Sequence, residues 1–252
     1  MSPVQPALIT NGIPEYAIFP VDHLELNVSA DPHPLIASHG GEIRDNWAAE
    51  VAANPALYDG TMILQRRIVL SPGSVVATGH VVPFSTLLYW RRAKPPGGAA
   101  HLFSIPVLLS SDNAVIAIQM GAHTANPGKV YCAAGSLEAE DIVDGRCDAD
   151  INMAREVMEE TGLSLSDAAE VGGFHALHAD DYVTLFRVYR FAETAETLLA
   201  RIAAHTATEA EPEIAGAVAI RDADPGRHHY AHFMPPMLAW IFEGGQVDRL
   251  KT

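Results

Sequence analysis

Cysteine is nearly absent from this chain. Its 252 residues include only Cys132 and Cys147, too few for a disulfide framework and not placed as a close metal-binding pair. That usage points to a reduced, cytoplasmic protein. Basic residues are scarce as well: 16 Lys and Arg stand against 31 Asp and Glu, a formal charge of −15. Such a surface repels nucleic acid and anionic membranes, so neither is expected as a partner. An anionic small molecule would need a local positive centre, and a bound metal is one candidate. Long apolar runs are missing too, none reaching the roughly 18 residues of a membrane span. The opening stretch MSPVQPALITNGIPEY has no basic region followed by an apolar core, so no secretory signal is expected there.

What remains is a globular composition, 48% hydrophobic and 19% charged, long enough for one large or two small domains. Residues 1–60 show spaced prolines and little periodicity until DNWAAEVAAN (45–54), which suggests a short helix after Asp45. TMILQRRIVL and SVVATGHVV look like two strands around the turn Ser71-Pro72-Gly73. KPPGGAA (94–100) is the best linker candidate, because adjacent prolines and glycines neither continue a helix nor pair centrally in a sheet. It separates an expected amino-terminal accessory α/β region, 1–98, from a second domain, 99–252. In the latter, FSIPVLLS and AVIAIQM read as a strand pair, with Pro106 making the first irregular or an edge. Residues 149–161 give the strongest helix. EVGGFHALHA, DYVTLFRVYRF and IAGAVAIRD give further strands, and AETAETLLARIAAH and PPMLAWIFEG two more helices. The interleaving lacks a regular βαβ alternation, which favours an α/β sandwich with a mixed sheet over a doubly wound parallel one.

The 149–161 helix carries the chemistry. Ile151, Ala154, Val157 and Met158 form an apolar stripe, and Asn152, Arg155, Glu156, Glu159 and Glu160 fall on the opposite face. Asp148 and Asp150 suit its amino-terminal end, and Gly162 suits a left-handed terminator. Like charges at this spacing destabilise an isolated helix. A hard divalent ion such as Mg²⁺ or Mn²⁺ would remove that repulsion, with water and phosphate oxygens completing its shell.

The string REVMEETGL (155–163) resembles the second half of the Nudix box, whose pattern is Gly, five residues, Glu, seven residues, then Arg-Glu-apolar-x-Glu-Glu-x-Gly-apolar. Arg155, Glu156, Val157, Glu159, Glu160, Gly162 and Leu163 satisfy that half. Upstream, CAAGSLEAED is similar to the opening loop of the box, with Gly135 as its leading glycine. The spacing departs from the pattern: Gly135 lies 20 positions before Arg155, and Cys147 stands eight before it in place of the acid. An insertion would reconcile the two, leaving Glu138, Glu140, Asp148 or Asp150 as replacements. The segment from Trp47 through NPALYDG resembles the region preceding the box in Nudix enzymes that split UDP-sugars.

The resemblance implies a Nudix-type α/β/α sandwich over about residues 100–220 and a magnesium-dependent hydrolase of a nucleoside diphosphate derivative, with a UDP-sugar as the leading guess. In that likeness Glu156, Glu159 and Glu160 hold Mg²⁺ or Mn²⁺, the carbonyl of Gly135 adds a ligand, and Arg155 orients a glutamate. A general base would be one of these acids or Glu213, from TEAEPEIAG. A homodimer is also implied. The competing reading is a catalytically weak Nudix domain that binds or senses a nucleotide.

Other signals have plainer explanations. Asp148, Asp150, Asn152 and Glu159 are spaced like calcium-loop ligands, yet Met153 stands where that loop requires glycine. His175, His178, His228, His229 and His232 lack an HExxH arrangement. Phe174 and Tyr182 suit a core better than a base-stacking site, and GRHHYAHF (226–233) is an alternative substrate entrance. Arg91, Arg92 and Lys94 read as a solvated linker flank.

Overall fold

The computed structural model describes residues 6–96 and 98–244. Residues 1–5 of the opening stretch, Gly97 of the expected linker and residues 245–252 of the second expected region lie outside the described residues. The proline-spaced opening holds more order than its lack of periodicity implies. A short strand, β1 (Leu8–Ile9), and a long one, β2 (Phe19–Ser29), precede helix α1 (Pro34–Ala53). Helix α1 starts early because His33 Nδ1 accepts the Leu35 N–H and Pro34 occupies its first turn. It is kinked at His39, so the helix expected after Asp45 forms its later half. The hairpin of β3 (Thr61–Ser71) and β4 (Gly73–Pro83) turns through Gly73 at φ +74°, as the turn residues predict. Helix α2 (Phe84–Ala93) follows, carrying Arg91 and Arg92 in its last turn.

Strands β5 (His101–Leu109), β6 (Val115–Met120) and β7 (Val130–Tyr131) come next, then the small hairpin β8 (Ile142–Val143) and β9 (Arg146–Cys147). Helix α3 (Ala149–Thr161) leads into β10 (Glu170–Val171), β11 (Phe174–Ala179) and β12 (Tyr182–Arg190). Helix α4 (Ala195–Thr206), β13 (Ile214–Ile220) and α5 (Met234–Phe242) complete the described chain. Pro106 does not make β5 an edge. It lies opposite Arg187 in the parallel β5–β12 ladder, and β6 pairs with β5 only from Leu108 onward, so the proline falls short of the second ladder.

The principal strand order is β1-β3-β4-β2-β11-β12-β5-β6-β13. Strand β2 runs parallel to β4 on one side and antiparallel to β11 on the other, which makes the amino-terminal hairpin continuous with the later strands. Helices flank this mixed sheet in the expected α/β/α sandwich. The largest core joins β5, β6 and β12 to Met153 and Val157 of α3, Leu198 and Ile202 of α4, and Met237, Leu238 and Ile241 of α5. A smaller core packs Leu87 and Trp90 of α2 against Met62, Leu64 and Val82. There Trp90 meets Tyr182, the first residue of β12, with ring centroids 5.2 Å apart. Lys94 adopts a left-handed conformation and turns its ammonium back over both rings, 3.8 Å from Trp90 and 4.4 Å from Tyr182. These contacts set the end of α2 beside the mouth of β5 and β12. Among the described residues, no helix is long and apolar enough to cross a membrane.

Candidate functional site

Helix α3 begins and ends where its sequence says it should. The Asp148 carboxylate accepts the N–H groups of Asp150 and Ile151, and Gly162 closes the helix at φ 66°. Its orientation differs from the expected one. Ile151 and Met158 are 41% and 46% exposed, whereas Asn152, Met153, Glu156, Val157 and Glu160 are buried. Glu156 and Glu160 therefore sit on the inward side, because the loop 132–137 lies across them. Asn152 ties that loop down, donating to the Ser136 carbonyl at 3.0 Å and to the Asp141 carboxylate at 2.9 Å.

Gly135 presses directly on the Glu156 carboxylate: a side chain at this position would collide with all three of its terminal atoms. Glu156 and Glu160 are only 8% and 7% exposed. Burial pushes Glu156 up to about 8; Arg155 opposes the rise, and Glu159, Glu138 and Asp141 add to it. Glu160 is held well above the carboxylate range by burial first, then by Glu156 and Glu213, against a hydrogen bond from the Ala134 backbone. Its Oε2 is buried without a hydrogen-bond partner, an arrangement that is costly in an otherwise satisfied interior.

Arg155 joins three carboxylates: Glu156 at 2.9 Å, Glu159 at 3.0 Å, and Asp141 through contacts of 3.3 Å. Asp141 is fully buried and also accepts the Glu138 N–H at 2.7 Å. It is the acid that the structure ties to Arg155, a position the sequence left open. Counted forward from Gly135, Asp141 follows after five residues, as the Nudix pattern asks; the extra length lies after it, in the β8–β9 hairpin. None of the four candidate replacements takes this position. Asp148 caps α3, Asp150 pairs with Arg187 at 2.7 Å, Glu138 begins the short turn that ends at Asp141, and Glu140 is exposed. Counting back from Arg155 led to Cys147, a buried thiol; counting from the glycine finds Asp141.

Gly135, Arg155, Glu156 and Glu160 thus come together. Glu159 reaches the group only through Arg155, its side chain 56% exposed. Glu213 is exposed on the approach to β13, close enough to raise Glu160, and its carbonyl accepts the Gly121 N–H at 2.7 Å. Among the described residues, no three His, Cys, Asp or Glu side chains are grouped as a metal ion would require.

A cavity of about 300 Å³ opens beside Gly135. Tyr182 and His232 line it, one read from the sequence as core and the other as part of an alternative entrance. It also exposes Arg91, His101, Phe103, Lys129, Tyr131 and Phe233. Arg91 is exposed, as expected of a solvated flank, and α2 also brings it to the rim of the cavity. Phe174, likewise read from the sequence as core, packs against the two main cores and lies under the Arg187 guanidinium at 4.4 Å. No short motif joins the cavity residues; only the fold brings them to one place.

No protein-family model and no curated protein matches the chain. The solved structures similar to it include a MutT protein from Methanosarcina mazei Go1, at 13% identity over 60% of this chain and 95% of that one, TM-score 0.37. The Nudix domain of Shewanella oneidensis NrtR, in complex with ADP ribose, matches at 12% identity over 61% and 88%, TM-score 0.40. A Nudix hydrolase from M. smegmatis, RenU, matches at 10% identity over 60% and 85%, TM-score 0.37.

Proposed function

We propose that this chain is a Nudix-type hydrolase that cleaves the diphosphate linkage of a nucleoside diphosphate derivative. The observation that carries the reading is the junction at Gly135, where a glycine leaves room for one buried carboxylate and a second, Glu160, keeps an oxygen without a partner. Crowded carboxylates of raised pKa in a solvent-poor corner fit a hard divalent ion, since all the donors are oxygens and Arg155 alone does not offset their burial and mutual repulsion. Glu156, Glu159 and Glu160 would hold it, with Glu159 turning in from its contact with Arg155. Mg²⁺ or Mn²⁺ bound there supplies positive charge to the diphosphate oxygens and acidity to a water.

The chain's own residues do the rest. Arg155, anchored by buried Asp141, steers Glu156 and holds Glu159 in reserve. Glu213, exposed and close to Glu160, would take the proton from the attacking water. A nucleoside monophosphate and a phosphorylated fragment are the products. UDP-sugars are the first substrates to test, on the likeness of the segment around Trp47.

A second reading, a nucleotide-binding domain with weak catalysis, is favoured by the outward position of Glu159 and its engagement by Arg155. A panel of UDP-sugars, ADP derivatives and dinucleotides, assayed for magnesium-dependent release of nucleoside monophosphate, separates the two. Turnover supports the hydrolase. Saturable binding of the same compounds without turnover supports the binding domain, and neither result leaves both readings without basis.

A further inference from the structure

Helix α3 ends with carboxylates at the pole where the backbone dipole already concentrates negative charge. Glu159 and Glu160 stand in its last turn, and no basic residue of α3 stands there with them. The final carbonyls of a helix also lack partners within it. Here the Met158 carbonyl is taken by the Gly162 N–H at 3.0 Å. The Glu159 carbonyl is met from outside: His205, in the last turn of α4, donates to it from Nε2 at 3.0 Å.

Further contacts fix that imidazole. It packs against Gly162, where a Cβ would fall 2.5 Å from the ring Cγ and 2.7 Å from Nδ1. Gly162 therefore serves twice, closing α3 at φ 66° and leaving space for the ring. The same Nε2 lies 3.3 Å from Glu209 Oε1. A nitrogen that faces two acceptors carries hydrogen, so His205 donates toward both. The chain between His205 and Glu209 is wound back on this residue, whose carbonyl accepts the Thr208 N–H at 2.9 Å and the Thr208 hydroxyl at 2.7 Å. Leu198 and Ile202 seat α4 in the same core as Met153 and Val157 of α3, so packing sets where the ring stands.

We propose that His205 is a positioning residue of the acidic corner, holding the end of α3 at Glu159 while the Glu159 side chain turns toward a divalent ion. This role rests on the hydrolase reading. Of the three helical acids, Glu159 is the one whose carboxylate has to move, because it is exposed and engaged by Arg155. A swing about a fixed backbone brings a carboxylate to one place; a frayed last turn would spread it and displace Glu160 as well. Through Glu209, the same nitrogen keeps the stretch that leads to Glu213 in register with that turn. His205 lies well outside the string 155–163, and only the packing of α4 on α3 brings it to the acids.

The probe is Mn²⁺ alone, its binding to the full chain followed by electron paramagnetic resonance of the free ion, beside kcat and KM for magnesium-dependent release of nucleoside monophosphate. His205→Leu keeps bulk over Gly162 but cannot donate, and His205→Ala removes both. Each should weaken Mn²⁺ binding roughly tenfold or more, the scale of a lost hydrogen bond behind a metal ligand. The fall should appear in kcat, with KM within about twofold of the parent. His205→Gln, whose amide N–H can take the place of Nε2, should recover most of the Mn²⁺ affinity. Ile202→Val loosens α4 without touching the bond and should bind Mn²⁺ as the parent does. His205 loses this role if the two donor-free variants bind Mn²⁺ like the parent, if His205→Gln falls as far as they do, or if Ile202→Val falls equally. Those results leave the hydrolase reading standing, whereas a parent that takes up no Mn²⁺ sinks both.

Discussion

The two sides of Gly135 differ in the sign of their unmet charge. On one, Glu156 and Glu160 are buried carboxylates with too little positive charge around them. On the other, Arg91 and Lys129 line a cavity with no acid to meet them. The acid side is the costly one, because Glu156 and Glu160 are buried while Arg91 keeps contact with solvent. One glycine separates the two because a side chain there would strike Glu156.

The comparison can be broken most severely at Asp141, which fixes the acid side through Arg155. Asp141→Asn should destabilise the protein by about 3–5 kcal/mol, the cost of leaving a half-buried guanidinium without its buried partner, measured as a fall in the urea midpoint. Next in size, Glu160→Gln should lower magnesium-dependent turnover about a hundredfold or more, equivalent to roughly 2.7 kcal/mol, while raising thermal stability in chelator. If turnover is unchanged, Glu160 is not part of the site. Glu159→Gln should keep the fold and lose turnover to a similar degree, provided that Glu159 turns inward when metal binds; normal activity in that variant would remove it from the site. Gly135→Ala should cost about 1–3 kcal/mol through overpacking and should reduce turnover more than ligand affinity on the cavity side, by kcat and KM compared with the parent.

A separate effect concerns pH. Glu156 binds its proton more tightly in the folded protein, at about 8, than the ordinary 4.5. Between those values the folded state carries the extra proton, so this group's contribution to stability is fully present below about pH 4.5 and is lost as pH rises through about 8. Chelated protein should therefore show a falling urea midpoint over that window. Glu156→Gln should flatten the trend, and a parallel slope in the variant would assign it to another group.

Periodicity made much of this architecture legible. The β3–β4 hairpin, helices α3, α4 and α5, and strand β12 all fall near their expected places, because each carries a local pattern ending at glycine, proline or a capping side chain. Strand β2 escaped, since FPVDHLELNVS mixes proline, histidine and acids with its apolar residues and its partners lie far along the chain. Helix α2 was obscured by the proline pair just beyond it. At the site, the helical acids were legible as a string but their burial was not. An amphipathic projection assigns apolar residues to the core, and only the loop 132–137, folded over Glu156 and Glu160, reverses that assignment. Asp141 was within reach of a count from Gly135, whereas Arg91 and Lys129 are united only by three-dimensional packing.

The central position of β2 bears on how the chain emerges from the ribosome. Its pairing with β4 becomes available once about a third of the protein has been synthesised, but the opposite edge must wait for Arg146 at Asn27 and for Phe174, His175 and Ala176 at its beginning. Until then a nascent fragment presents an unpaired strand margin, the kind of surface that recruits neighbouring chains. Pro20, His23 and the acids Asp22 and Glu25 within β2 are residues that discourage such edge-to-edge association during the interval.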